Sequence, residues 1–466
     1  MLDELVGRIR PLLPEPVDEL QVAAVLESQG VTDDAAVERY GTADVFELAQ
    51  EVHLRLLAEA PDAAADAAAG AAPDGGPDGG EPPRRWWTDV SHGVLYLMPS
   101  AAYPAVFAVL GGPGMLRGLI FATTTGWIWG AGTSWVAHRL AGAGAARVAA
   151  RSMLLLGGVG LALALAGALV LHRWFGGGPA LVLFVLAQTG FQIASGILVF
   201  HRAEGRLLAA MLPVTAAGLV HLATGYADWP VAPVLVLGGC SVALALGFAR
   251  RAGLTGPTGD PGQVPPARVL ALGALPSTVY AALCAAFLLH ADARYVMGPV
   301  DLAVGVTPLV IGMGAVEWRV HRLFEQAAAL LRSTPSPELF DRAMWRLLLR
   351  EFATCLLALG AVALALLAAL KWAGALTVHG ALLIDAHIVL GGAFFLGFVL
   401  IRTGGAGWAS ACLGAVLLLD VVLVAATAGD PGAHLDVPVF AGSCAVLSVI
   451  LLAALRRSVG QVRHYR

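Results

Sequence analysis

The feature that most restricts the fold of this chain is a series of apolar segments of about 20 residues with almost no charge. Hydrophobic residues make up 58% of the sequence and charged residues only 13%, whereas soluble domains carry about 25% charged residues. An apolar helix of about 20 residues is long enough to cross the hydrocarbon core of a bilayer. The sequence therefore predicts an all-α polytopic membrane protein.

The apolar segments predict about twelve transmembrane helices. They are 94–112, 118–137, 153–172, 179–200, 207–226, 231–249, 269–290, 295–316, 352–371, 379–401, 406–427 and 436–455. Nineteen arginines fall in the loops and tail on one side of this arrangement, and only four basic residues fall on the other. Because loops on the cytoplasmic side are rich in Lys and Arg, we predict a multi-pass protein of the cell membrane, in a bacterial inner membrane, with both termini cytoplasmic.

The segment 250–268 divides the apolar segments into two sets of six. It contains four prolines, four glycines and three arginines, a composition that is poor for regular helices and strands. We predict a first six-helix lobe at 94–249, a cytoplasmic hinge at 250–268 and a second six-helix lobe at 269–455. An even number of helices per lobe would relate the lobes by an axis along the membrane normal, so that spans four and ten correspond.

The ends of the chain have a different composition. Residues 1–60 contain 13 acidic residues and four arginines and predict a small cytoplasmic helical module, with Thr32 and Thr42 as N-caps. In the last helix of this module, an apolar stripe of helical spacing is expected to be buried, formed by Val45, Phe46, Leu48, Ala49, Val52 and Leu56. Residues 61–93 predict a disordered linker that ends at the membrane edge, and 456–466 a basic cytoplasmic tail.

The net negative charge of residues 1–60 argues against a nucleic-acid partner. This module is instead expected to dock on the membrane part or to recruit a soluble cytoplasmic partner, such as a glycosyltransferase. The longest predicted cytoplasmic loop, 317–351, has the apolar periodicity of an amphipathic helix on the membrane surface, followed by a second helix that enters span nine.

The chain resembles the multidrug/oligosaccharidyl-lipid/polysaccharide exporter superfamily, in particular its polysaccharide-transporter branch. The resemblance lies in the 6+6 layout, the long loop after span eight and two local sequence segments. The segments that carry this resemblance are FVLAQTGFQIASGILVFHR in span four and PELFDRAMWRLLLRE before span nine. The resemblance covers 94–455. It implies two lobes around a central cavity and the movement of a polymeric or lipid-linked glycan out of the cytoplasm.

Carboxylates inside predicted spans are candidates for proton or cation coupling, because ionisable groups at membrane depth usually face a cavity or a partner. The coupling candidates are Asp301, Asp385 and Asp420, together with His387 near Asp385. Since Asp385 and His387 are two residues apart, a helix does not place them on one face. Asp301 and Asp385 also lie close enough to span ends for a surface position.

Polar and aromatic residues inside the first-lobe spans are candidates for lining a substrate cavity. Trp127 and Trp129 offer faces that stack on sugar rings, and Thr124 offers a hydroxyl. Gln188, Gln192 and His221 are the other candidates, although such groups also serve as hydrogen-bonding contacts between helices. Packing against neighbouring spans is the alternative for both tryptophans.

Arginines in 317–351 are candidates for binding anionic headgroups of membrane lipids, namely Arg319, Arg322 and Arg346. The general enrichment of arginine on the cytoplasmic side of membrane proteins is an alternative explanation for these three residues. The sequence has no GxSxG, HExxH, P-loop or CxxC motif. We therefore predict no enzymatic activity, no metal site and no cofactor.

Three functions fit these features. The first is a flippase or transporter that exports a polysaccharide or lipid-linked glycan precursor by alternating access. The second is a proton-coupled small-molecule transporter of the major facilitator type, although the loop after span two, AHRLAGAGAARVAARS, lacks the Asp of that family's pattern. The third is a membrane scaffold that recruits a cytoplasmic partner through residues 1–60.

Overall fold

The computed structural model describes residues 2–10, 12–13, 19–56, 93–224, 231–255, 264–295, 298–334, 336–427 and 435–465. The chain divides into two compact units, Met1–Arg84 and Arg85–Arg466. The predicted linker 61–93 lies outside the described residues except for Gly93.

The N-terminal unit is helical, as predicted. It contains α1 (Leu2–Ile9), α2 (Glu19–Ser28), a short helical segment from Asp33 to Tyr40, and α3 (45–56). The apolar faces of these helices form one small core that includes Leu5, Ile9, Leu26, Leu48 and Val52. Burial of these side chains holds the module together.

One of the two predicted N-caps of the module is confirmed. The Thr32 side chain accepts a hydrogen bond from the backbone of Ala35, but Thr42 does not cap α3. Asp44 does so, because its carboxylate accepts a hydrogen bond from the backbone N–H of Glu47 at 2.8 Å. The predicted apolar stripe of α3 is buried except for Phe46, which is 54% exposed.

The second unit contains eleven helices, within the described residues, that are long and apolar enough to cross a membrane. They are α4 (Gly93–Gly142), α5 (Ala146–Phe175), α6 (Gly178–Phe200), α7 (Glu204–Ala223), α8 (Val231–Leu254), α9 (Ala267–Asp292), α10 (Thr307–Ser333, preceded by the short helix Val300–Ala303), α11 (Pro337–Trp372), α12 (Val378–Arg402), α13 (Ala406–Thr427) and α14 (Asp436–Leu455). The prediction of an all-α polytopic membrane protein is confirmed.

The difference between about twelve predicted spans and eleven helices lies in α4, which contains the first two predicted spans. Its backbone leaves the helical conformation at Gly111, with φ 66° and ψ 168°. Glycine adopts this conformation without a steric penalty, and the nearby Pro113 has no N–H to continue the helical hydrogen bonding. We refer to residues 93–110 as α4a and to residues 112–142 as α4b.

The two halves of the membrane unit repeat one packing pattern. In the first half, α4b packs on α5 and α6, α5 on α6, α6 on α8, α7 on α8, and α4a on α7. In the second half, α10 packs on α11 and α12, α11 on α12, α12 on α14, α13 on α14, and α9 on α13. Each helix pair in one half therefore has its counterpart six spans later, and α6 and α12 are equivalent, as expected for spans four and ten.

The two halves meet along a seam formed by α4 with α9 and α10. α4b runs along α9, where Gly132 faces Thr278 and the Trp135 ring lies on Gly273. α4a approaches α10 where a Cβ on Gly93 would lie 1.9 Å from the carbonyl oxygen of Ile311. These two contacts are equivalent under the six-span repeat. Glycine at the seam allows this close approach of the helices.

Two helix boundaries differ from the prediction. Helix α8 continues to Leu254 and α9 begins at Ala267, so both ends of the predicted hinge 250–268 are helical; residues 256–263 lie outside the described residues. Helix α10 continues without a break from Thr307 to Ser333, so the predicted amphipathic segment is an extension of the spanning helix rather than a separate surface helix. Its apolar face is buried against α11, and this contact explains the apolar periodicity of the segment.

The C-terminal segment 456–465 packs on the end of the second half at which α10 meets α11. The Tyr465 ring lies 5.5 Å from that of Phe324 and 5.6 Å from that of Phe340, and its hydroxyl donates to the carbonyl oxygen of Val459. Burial raises the pKa of the Tyr465 phenol. The predicted basic tail is thus an ordered part of the second half.

The seam contact at Gly93 leads to a stability prediction. In Gly93→Ala, the new methyl group meets backbone atoms of α10, which cannot move as a side chain can, so α4a must separate from α10. We expect a cost of about 1–3 kcal/mol and a lower melting temperature of the purified protein in detergent. The matched control is Gly247→Ala in α8, where nothing lies within 4 Å of the new Cβ. An equal melting temperature for both variants would contradict this close contact.

Candidate functional site

The last turn of α9 carries two ionisable residues, His290 and Asp292, that contact two other helices of the second half directly and a third through Asp420. Asp292 contacts His387 of α12, and His290 contacts Asp420 of α13, which in turn is hydrogen-bonded to Ser443 of α14. We refer to these five residues as the carboxylate–histidine cluster. It is a candidate site because ionisable groups inside a membrane helix bundle are costly without a partner.

His387 is completely buried, and both of its ring nitrogens have partners. Its Nδ1 lies 2.7 Å from the carbonyl oxygen of Leu383, which can only accept, so Nδ1 carries a proton. Its Nε2 lies 3.1 Å from Oδ2 of Asp292. One further proton therefore belongs to this contact, and it resides either on the imidazole, opposite a charged carboxylate, or on the carboxyl group, opposite a neutral imidazole.

Asp420 is 1% exposed and forms the second acid–histidine contact. Its Oδ1 accepts a hydrogen bond of 2.8 Å from the hydroxyl of Ser443, and its Oδ2 lies 3.6 Å from Nε2 of His290. The His290 side chain is 29% exposed, so it connects the buried carboxylate with the outside of the helix bundle.

The loop after α9 extends the polar network. The Arg294 guanidinium donates to the carbonyl oxygen of His290 at 2.8 Å and lies 3.7 Å from the Asp436 carboxylate at the start of α14. The Tyr295 hydroxyl donates to the same carboxylate. Burial, together with the negative charge of Asp436, raises the pKa of the Tyr295 phenol, which remains protonated as a donor. These contacts fix the end of α9 against α14.

Asp301, a predicted coupling residue, is fully buried but serves as an anchor for a helix terminus. Its Oδ2 accepts hydrogen bonds from the backbone N–H of Thr377 at 2.9 Å and from the Thr377 hydroxyl at 2.5 Å. The same hydroxyl caps α12 by accepting from the N–H of Gly380. Asp301 thus joins the short helix before α10 to the beginning of α12.

The structure separates Asp385 from His387. Asp385 lies on the exposed side of α12, whereas His387 points into the bundle toward Asp292. This agrees with the expectation from the sequence that residues two apart lie on different helix faces. The sequence-based candidates did not include Asp292, His290 or Ser443. The sequence signal for the first two was the His-x-Asp pair at the end of span seven, and such a pair is equally typical of a polar loop.

A pocket of about 480 Å³ opens at the seam, lined by Trp135, His138, Arg139, Val269 and Gly273. The first three residues lie on one side of α4b, near its C-terminal end. His138 places Nδ1 2.8 Å from the carbonyl oxygen of Ser134, so Nδ1 donates and Nε2 is the atom for other partners. The pocket thus combines an aromatic face with a guanidinium and an imidazole.

The two tryptophans that were predicted to line a cavity have different surroundings. Trp129 faces α5, where its Nε1 donates to the carbonyl oxygen of Leu156 at 2.8 Å. Trp127 packs against the apolar core of the second half and therefore lies at the seam. Thr124, one turn before Trp127 on α4b, is half-buried. Of this group, Trp127 has the position expected of a residue between the lobes.

The predicted polar residues of the first lobe lie within its helix packing. The carbonyl of Gln192 is buried against Gly126 of α4b, and this oxygen has no hydrogen-bond partner among the described residues. Gln188, one turn earlier, interacts through its side chain with the hydroxyl of Tyr103. His221 is 1% exposed in α7. Within this group, Gln192 is thus the residue whose side-chain oxygen faces α4b and can still accept a hydrogen bond.

The predicted headgroup-binding arginines differ in their surroundings. Arg319 lies 3.1 Å from the buried carboxylate of Glu351, so its charge is neutralised within the α10–α11 pair. Arg322 is exposed and its guanidinium lies 5.5 Å from the centre of the Trp318 ring. Arg346 is exposed on α11. Within the described residues, no group of three or more His, Cys, Asp and Glu side chains is arranged to hold a metal ion.

Comparison with known proteins identifies the fold. No family model matches the chain, and no curated protein matches it. A solved structure described as the outward-facing conformation of a multidrug resistance MATE family transporter of the MOP superfamily has a TM-score of 0.51 and 13% identity, covering 81% of this chain and 96% of that one. An inward-facing conformation of such a transporter has a TM-score of 0.46 and 14% identity, covering 82% and 98%. The predicted resemblance to this superfamily is confirmed at the level of the fold.

The Asp292–His387 contact leads to a stability prediction. In Asp292→Ala, Nε2 of the buried His387 loses its only described acceptor or donor partner, which costs about 1–3 kcal/mol. We expect a lower melting temperature in detergent. The matched control is Asp385→Ala on the exposed side of α12, with an expected change within about 0.5 kcal/mol. Equal effects of the two substitutions would show that the buried contact does not stabilise the second lobe.

Proposed function

We propose that this protein is a membrane transporter that exports a polysaccharide or a lipid-linked glycan precursor by alternating access. The observation that carries the proposal is the repeat of one packing pattern in two halves, which meet among the described helices along the seam between α4, α9 and α10. Two rigid halves that rock about such a seam expose it alternately to the two sides of the membrane.

The seam pocket supports a glycan substrate. The Trp135 indole offers a face for stacking on a sugar ring, and the exposed Arg139 guanidinium suits the phosphate or pyrophosphate of a lipid carrier. His138 supplies a further hydrogen-bonding atom between them. The pocket lies at the end of α4b that the arginine distribution assigns to the cytoplasm, which is the side from which an exported glycan precursor must enter.

Substitutions in the pocket test the substrate class. In cells that carry the gene as their sole copy, Arg139→Gln is expected to reduce surface glycan at least tenfold, because loss of a charge-assisted hydrogen bond costs about 1.5–3 kcal/mol. Trp135→Ala is expected to reduce surface glycan as well, because it removes the stacking face. The control is Arg147→Gln, an exposed arginine at the start of α5 that does not line the pocket. Unchanged surface glycan on deletion of the whole gene would exclude a glycan substrate.

A second candidate, a proton-coupled small-molecule transporter, is favoured by the carboxylate–histidine cluster. Two acid–histidine contacts bind the last turn of α9 to α12 and α13, and α9 is also the helix that forms the seam with α4b. Addition or loss of a proton at these contacts changes how firmly α9 is held, which supplies a coupling between protonation and the seam.

Proton movement distinguishes the coupling residues. In proteoliposomes that contain the purified full-length protein and a pH-sensitive dye, substrate-driven proton flux is expected to be abolished in Asp420→Asn, which cannot accept a proton. It should persist in Asp385→Asn, since Asp385 lies outside the cluster. Proton flux that survives Asp420→Asn would remove this residue from the coupling. Proton-driven efflux of a small solute, with surface glycan unaffected by gene deletion, would favour the second candidate.

A further inference from the structure

Helix α11 is longer than a membrane span, and the position of its charges locates the bilayer along it. Arg350 and Lys371 lie at the two ends of the long apolar part of the helix. The one charged residue between them is Glu351, whose carboxylate is buried against Arg319. They are 21 residues apart, which is about 32 Å along a helix. This separation matches the hydrocarbon thickness of about 30 Å, so the two residues mark the two boundaries of the apolar layer.

The outward face of α11 is identified by its most exposed apolar residues, Leu357 and Leu364, which are 72% and 67% exposed. At about 100° per residue, Arg346 and Arg350 each lie within about 20° of the direction of Leu357. The face of the helix that meets lipid chains within the membrane therefore continues directly onto these two arginines. Leu349, which is 48% exposed, lies beside them.

Arg346 stands at the depth of the lipid headgroups. It precedes Arg350 by four residues, about 6 Å along the axis, and the headgroup layer on each side of the apolar core is about 5–7 Å thick. The long side chain of arginine lets its charged end reach the phosphate level while its stem lies along apolar surface. Arg342, a further four residues away, lies beyond this layer.

Arg346 also has an available charge. The carboxylate of Glu351 contacts Arg319 at 3.1 Å and Arg350 at 3.0 Å, so both of these arginines have an acidic partner, although the two share a single negative charge. In the part of the chain that the structure describes, no acidic side chain lies within salt-bridge distance of Arg346. A guanidinium in this setting binds phosphate oxygens with paired hydrogen bonds.

We propose that Arg346, with Leu349 and Arg350 beside it, forms a binding surface for an anionic phospholipid headgroup on the lipid-facing side of α11. The headgroup phosphate binds the Arg346 guanidinium, and the exposed Leu349 lies next to the boundary of the apolar layer. Arg350 joins this surface to the Arg319–Glu351 contact between α10 and α11, because its guanidinium lies 3.0 Å from the Glu351 carboxylate.

The test compares lipids and two arginines on the same helix. The purified full-length protein is placed in nanodiscs of phosphatidylcholine, with and without 30% phosphatidylglycerol (about one anionic lipid in three, enough for a surface potential), and its melting temperature and retained lipid are measured. We expect phosphatidylglycerol to raise the melting temperature and to be retained by the wild type and by Arg342→Gln. Arg346→Gln should lose most of both effects, and Arg346→Lys should keep most of the electrostatic part.

Three results would overturn the proposal. Phosphatidylglycerol and phosphatidylcholine could give the same melting temperature and retention for the wild type. Arg342→Gln could lose as much as Arg346→Gln, which would indicate a general effect of positive charge. Inorganic phosphate could reproduce the stabilisation in pure phosphatidylcholine, which would indicate a free anion and not a lipid. Equal melting temperatures of all variants in phosphatidylcholine alone establish that folding is unaffected.

Discussion

The pairing of carboxylates with imidazoles at the end of α9 is the interaction on which the second half of this structure depends. A charge in the apolar interior of a membrane protein is tolerated only beside a partner. Asp292 and Asp420 each have one, and the partners belong to different helices. The last turn of α9 is consequently tied to α12, α13 and, through Ser443, α14. The same helix α9 also lines the seam with α4b, so the helix that carries these contacts also forms the contact between the two halves.

The six-span repeat gives the two halves the same packing but different chemistry. Helix α6 of the first half carries the neutral Gln188 and Gln192 near α4, whereas its counterpart α12 carries the buried His387. In the first half, the seam helix α4b instead presents Trp135, His138 and Arg139 to the pocket. The residues that we propose for protonation and those that we propose for substrate contact thus lie in opposite halves, on either side of the seam. A shared fold allows such a division because helix packing depends on the apolar faces, not on the few polar residues.

The sequence was sufficient for features that depend on local composition. Uncharged apolar segments predicted the spanning helices, and Asp420 was singled out because a carboxylate in such a segment needs a partner. The partners themselves could not be predicted, since His387 and Asp292 are 95 residues apart in the chain. Asp385 and His387, which are near in sequence, occupy different faces of α12. Similarly, a tryptophan in the middle of a span gives no indication of its direction; Trp129 turns to α5, whereas Trp127 turns to the second half. Two predicted spans form the single helix α4. The glycine and proline near residue 111 interrupt its hydrogen bonding over only a few residues, so the helix is kinked but not ended there.

The two acid–histidine contacts act on one helix but differ in strength. His290 and Asp292 stand on the same turn of α9, and each forms one of these contacts. His387 is completely buried, whereas the His290 side chain is 29% exposed. Solvent screening weakens an ion pair as its exposure increases, so the Asp292–His387 contact is the stronger of the two. A contact shifts a two-state equilibrium only by the difference between its free energies in the two states. The proposed coupling therefore requires that the Asp292–His387 contact is weakened in one of the two states of the transporter.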